Sequence, residues 1–85
     1  MTIRYDDKFL IFGHEKCMPC KKARKWFEEN GINYRYIDVT EDENRDLVQF
    51  FMVTNVPVIV INKNGLYSTY YGWSEEIKKK ILNER

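Results

Sequence analysis

Cys17-Met18-Pro19-Cys20 sets two thiols two residues apart, and no other side chains of this chain are better suited to chemistry. Sulfur at that spacing can cycle between dithiol and disulfide, or it can supply one corner of a metal site. Zinc takes four ligands, and beyond the pair the chain offers only His14 besides carboxylates. The redox reading is therefore preferred, and no metal is expected. As a cross-link the pair does little, because so short a loop restricts the unfolded chain by roughly 2 kcal/mol. A secreted fold held by disulfides would use several widely spaced pairs. The pattern points instead to a reducing, cytoplasmic compartment and to cysteines kept for their reactivity.

The thiols need elements to aim them. Lys8 to Phe12 is a short apolar run with the residue types of a buried strand, ended by Gly13. From Pro19 to Asn30, Ala23, Trp26 and Phe27 recur at helical spacing among charged residues, and Asn30-Gly31 supplies a left-handed stop. Ile32 to Val39 alternates as a second strand, with Tyr34, Tyr36 and Asp38 on one face. Thr40 and Glu43 are spaced as a capping box for a helix running to about Met52. Val56 to Ile61 reads as a core strand with Pro57 at its mouth. Asn62-Lys63-Asn64-Gly65 is a hairpin turn leading to a return strand, Leu66 to Tyr71. Ser74 caps a last helix that turns Ile77, Ile81 and Leu82 inward. The order is βαβαββα: one α/β domain spanning residues 1–85, a four-stranded mixed sheet flanked by three helices.

In that frame the two cysteines differ. Cys17 falls at the start of a helix, where unpaired N–H groups and the helix dipole favour a thiolate, so it is the expected nucleophile. Cys20 lies one turn further in, placed to resolve a mixed disulfide formed by Cys17. Pro19 fits the first helical turn, where its missing N–H costs nothing. Lys16, Lys21, Lys22, Arg24 and Lys25 crowd the motif although cations at a helix N-terminus oppose the dipole. They serve either thiolate stabilisation and the attraction of an acidic partner or glutathione, or simply a solvated face. His14 precedes Cys17 by three residues and gets no catalytic role. Tyr70, Tyr71 and Trp73 with Met18 offer either an apolar platform beside Cys17 or ordinary core.

Composition narrows the partners. The net charge is +1 with 32% charged residues, which gives no reason to expect nucleic-acid binding. The polar opening, Met1 to Lys8, lacks the apolar core of a signal peptide, and no apolar run is long enough to cross a bilayer. The expectation is a monomer without nucleic-acid or membrane partners.

From Lys8 to about Leu82 the chain resembles glutaredoxins and the glutaredoxin-like redoxins that supply electrons to ribonucleotide reductase. The resemblance rests on Cys17-Met18-Pro19-Cys20 and Asn55-Val56-Pro57. It implies the thioredoxin-like fold, a cis proline at Pro57 facing the dithiol, and a Val56 backbone that pairs with an extended substrate. It also implies a disulfide-containing protein substrate, with glutathione or thioredoxin reductase as electron donor and no bound cofactor. The chain departs from the family at two places. Met18-Pro19 stands where glutaredoxins carry Pro-Tyr, and Tyr71-Gly72-Trp73-Ser74-Glu75 stands where they carry a Gly-Gly pair and an Asp that holds glutathione. Trp73-Ser74 is similar to part of a stretch in the ribonucleotide reductase redoxins. A deglutathionylating glutaredoxin is one alternative. A metal or iron-sulfur module that pools the cysteines of two chains is another, disfavoured by the stiff proline inside the motif.

Overall fold

The computed structural model describes residues 7–85. Its elements run β1 (Phe9–Gly13), α1 (Met18–Glu29), β2 (Arg35–Asp38), a 3-10 turn (Asp42–Asn44), α2 (Arg45–Phe50), β3 (Val58–Lys63), β4 (Leu66–Tyr71) and α3 (Glu75–Glu84). The sheet order is β2-β1-β3-β4, with β1 parallel to β2 and the other pairs antiparallel. This is the expected mixed sheet. The polar opening segment, residues 1–6, on which the signal-peptide reading rested, lies outside the described residues.

Every residue of β1 is buried, because the strand is flanked on both edges and covered on both faces. Its side chains alternate between two cores. Phe9 and Ile11 join Ala23 and Phe27 of α1 and Ile77 and Ile81 of α3. Leu10 and Phe12 join Leu47 and Phe51 on the α2 side. β3 is shared out the same way, with Ile59 and Ile61 on the first face and Val58 and Val60 on the second.

Turn chemistry closes the elements. Gly31, at φ 65°, ends α1: its N–H donates to Glu28 O, while the Ile32 N–H reaches back to Phe27 O at 2.9 Å. That pair of bonds caps the orphan carbonyls of the last turn. Asn64 and Gly65 both take positive φ, 55° and 91°, the geometry a two-residue hairpin loop requires. Asn62 supports the loop by accepting the Gly65 N–H at 2.8 Å. The Ser74 hydroxyl caps α3 by accepting the Ile77 N–H.

Several local expectations are corrected. Thr40 does not form a capping box with Glu43; its hydroxyl and N–H both donate to Asp38 Oδ1, at 2.6 and 2.9 Å. A short-range bond to a strand-end aspartate outcompetes the cap, and a 3-10 turn intervenes before α2. The same two donors, the hydroxyl first, hold the Asp38 carboxyl below the usual carboxylate range. α2 stops at Phe50, and Met52 turns left-handed at φ 53°. β2 begins at Arg35 rather than Ile32, whose N–H is taken by the end of α1. β3 begins at Val58, because Pro57 before it has no N–H to give a ladder. Leu82 is not inward: it is 39% exposed. It follows the buried Ile81 by one residue, about 100° around the helix.

Candidate active site

The β1–α1 connection carries the dithiol. Cys17 is the N-cap of α1, in extended conformation, and its N–H donates to His14 O at 3.2 Å. Its Sγ accepts the Cys20 N–H at 3.2 Å, so sulfur takes the place a hydroxyl or carboxylate fills at other helix starts. The same N–H is available to a thiolate on Cys17, where it adds to the helix dipole. The two cysteines form a disulfide across a Cα–Cα distance of 5.2 Å. Cys17 retains 8% exposure and Cys20 none, so an incoming group can reach only the first sulfur. Pro19 sits within the first turn, and the first turn of α1 holds no acid. Lys16, Lys21 and Lys22 are exposed around it.

The surroundings are not uniformly basic. Lys16 shares a shallow groove with His14, Glu15, Asp38, Thr40 and Glu41, which brings three carboxylates to the β2 side of the dithiol. His14 Nδ1 accepts the Lys16 N–H at 3.2 Å, a turn-forming bond that occupies this nitrogen locally.

The glycine that ends β1 has a steric role that its position in the sequence only hints at. A Cβ on Gly13 would lie 2.8 Å from Cys20 Sγ, 2.9 Å from Cys20 Cβ and 3.0 Å from the Tyr36 hydroxyl. Cys20 is fully buried, so these neighbours have little room to retreat. Gly13→Ala is expected to lower the stability of the disulfide form by about 1–3 kcal/mol, read by denaturant unfolding. An unchanged midpoint would show that the contact yields without strain.

Pro57 is buried, and its cis peptide precedes the Val58 that pairs with Phe12, so it lies at the same sheet end as Gly13 and the dithiol loop. The Gly72 N–H donates to Pro57 O at 2.9 Å, and Gly72 takes φ 85°. Thus the two segments picked out on either side of β3 and β4 are joined by one hydrogen bond. Val56 and His14 line one groove together with Val39, Val48, Val53, Thr54 and Asn55. The suggested aromatic platform divides. Trp73 packs into the core, its ring 5.5 Å from Trp26 and 6.2 Å from Phe27, and Tyr70 packs on the same cluster. Met18 and Tyr71 stay exposed. Among the described residues, no group of three or more His, Cys, Asp or Glu side chains is arranged to hold a metal ion.

A mixed four-stranded sheet with a dithiol at a helix N-terminus and a cis proline at the same end of the adjacent strand defines a thioredoxin-fold dithiol protein. The sequence model of the Glutaredoxin family matches residues 9–66, and the chain belongs to that family. It is similar to the N-acetyl-S-hydroxy-L-cysteine reductase of Bacillus subtilis (strain 168), at 30% identity over 60 residues. That alignment covers 68% of this chain and 64% of the reductase, so the chain spans less than two thirds of this relative. Among solved structures it is similar to Fasciola hepatica thioredoxin, with TM-score 0.70, 23% identity, and 91% of this chain and 79% of that one covered. For the Archaeoglobus fulgidus glutaredoxin the TM-score is 0.68 and the identity 21%, with 91% and 87% covered. At these identities the structural likeness speaks for the fold.

Proposed function

We propose that the protein is a dithiol thiol-disulfide oxidoreductase that reduces disulfides of partner proteins. The carrying observation is the asymmetry of the pair: Cys17 Sγ caps α1 and meets the surface, while Cys20 is sealed beneath it. The Cys17 thiolate attacks one sulfur of the partner disulfide, forms a mixed disulfide and expels the other partner sulfur as a thiolate. The Cys20 thiolate then attacks Cys17 Sγ, closing the internal disulfide and releasing the second partner thiol. Val56 positions the extended substrate by backbone pairing and Pro57 holds that segment toward the dithiol, with Met18, Pro19, Lys16, Lys21, Gly72 and the exposed part of Trp73 around it. Glutathione or thioredoxin reductase returns the two electrons, and donation to ribonucleotide reductase is one use for them. The working form is a single-domain monomer in the cytoplasm with no bound cofactor.

The Bacillus subtilis relative favours a second substrate class. Attack of Cys17 on the sulfur of an S-hydroxycysteine would expel hydroxide, and Cys20 would resolve the resulting mixed disulfide as before. One experiment addresses both readings. Cys20→Ser protein, reduced and mixed with a disulfide protein or an S-hydroxycysteine, is expected to accumulate a covalent adduct on Cys17 visible by intact mass. Parent protein is expected to turn over, recharged by glutathione or by thioredoxin reductase. No adduct with either substrate would refute the proposal.

A further inference from the structure

Cys20 has no contact with solvent, yet resolution requires it to become an anion. Burial raises the energy of a charged sulfur unless a donor replaces the lost hydration. One hydroxyl stands close by. The Tyr36 oxygen and Cys20 Sγ lie 3.0 and 2.8 Å from the same point, where a Gly13 Cβ would stand, which places them within about 6 Å of each other and not yet hydrogen-bonded in the disulfide form.

The rest of the surroundings leave Tyr36 as a donor. It lies on β2 beside Ile11 of β1, on the face covered by α1, and its side chain runs toward the end of β1 where Gly13 sits. Arg24, one turn beyond Cys20 on α1, holds its guanidinium 4.0 Å from the centre of the Tyr36 ring. Arg24 also donates to Tyr34, whose hydroxyl bonds Glu28, so the ring is clamped by a polar ladder between α1 and β2. The charged groups that act on Tyr36 are Arg24 from α1, Asp38 from β2 and Glu15 from the dithiol loop. Burial is the largest influence and pushes the phenol above its ordinary value, so near neutrality the hydroxyl keeps its proton and can donate it in a hydrogen bond.

We propose that Tyr36 is a positioning residue for the resolving step, its hydroxyl donating a hydrogen bond to the Cys20 thiolate as that sulfur attacks the mixed disulfide. The assignment rests on Cys20 being the resolving cysteine. Cys20 gives up its thiol proton, the Cys20–Cys17 bond forms, the Cys17–partner bond breaks, and the departing partner thiolate takes up a proton, so that protons balance over the step. Tyr36 keeps its own proton throughout.

Tyr36→Phe tests this while keeping the ring that stacks under Arg24. In a Cys17→Ser background, the pH midpoint for ionisation of Cys20, followed by NMR of its Cβ, is expected to rise by about one unit on Tyr36→Phe. In the otherwise unmodified protein, resolution of a preformed mixed disulfide is expected to slow by about tenfold. Formation of that mixed disulfide by Cys17 should stay within about twofold. An unchanged midpoint and resolution rate in a folded Tyr36→Phe protein would overturn the proposal, as would equal slowing of both steps. The Cys20 titration uses no substrate, so a parent protein unable to reduce disulfides would refute the functional reading while the titration still decides the role of Tyr36.

Discussion

Cys17→Ser is expected to reduce disulfide turnover to the uncatalysed background while leaving the protein folded. A serine hydroxyl stays protonated at neutral pH and cannot form the mixed disulfide on which every later step depends. Helix geometry should survive, because serine is itself a favoured N-cap and its oxygen can accept the Cys20 N–H that Cys17 Sγ now accepts. The measurement is reduction of a disulfide protein under single-turnover conditions, with circular dichroism as the check on folding. The parent Cys17 should also alkylate faster than free cysteine at neutral pH, because an N-cap sulfur is where the helix N–H groups converge. A folded Cys17→Ser protein that still reduces disulfides would remove Cys17 from the mechanism.

The second large effect concerns stability. Phe27 is fully buried and meets Phe9, Trp26, Tyr34 and Trp73 through ring centroids 5.3–6.2 Å apart. Phe27→Ala would leave a cavity between α1 and the sheet, at an expected loss of about 3–5 kcal/mol. Small domains hold about 5–15 kcal/mol in all, so much of the margin would go. The melting temperature should fall by on the order of 20 °C. A loss below about 1 kcal/mol would mean that the aromatic layer closes over the gap. Because α1 also presents Cys17, the variant should lose activity at temperatures where it is still mostly folded.

The geometry around the dithiol follows from how these two features are joined. α1 is pinned to the sheet by Ala23 and Phe27, and its first turn then holds Cys17 at the surface and Cys20 beneath it. On the far side, the Gly72 N–H bonded to Pro57 O ties the start of β3 to the end of β4. Val39, Val48, Val53 and Val56 line a separate groove together with His14, Thr54 and Asn55.

Some of this could be read directly from residue types. A pair of thiols two apart, between a strand pattern and a helix pattern, announces redox chemistry through local rules alone. Asn64-Gly65, Gly31 and Ser74 likewise act through their own backbone, so their turn, stop and cap were predictable. The apolar runs of β1 and β3 indicated strands buried on both faces, and from them the mixed sheet. The cis Val56–Pro57 peptide was reached only through resemblance, since a proline after valine has no local feature that selects the isomer.

Other parts needed the third dimension. Thr40 had two possible partners, Glu43 along a helix and Asp38 behind it, and only the course of the chain leaving β2 decided for Asp38. Leu82 fitted the helical pattern but falls off the stripe that Ile77 and Ile81 press against the sheet. Most of all, nothing in the order of residues sets Tyr36 beside Cys20. They meet because β2 lies parallel to β1, α1 crosses both, and Gly13 lacks the side chain that would hold them apart. The dithiol itself was therefore determined by sequence, because its spacing and helix start are local. Its electrostatic setting was decided by tertiary structure, because that depends on which distant polar groups the packing of β2 against α1 brings to a buried sulfur.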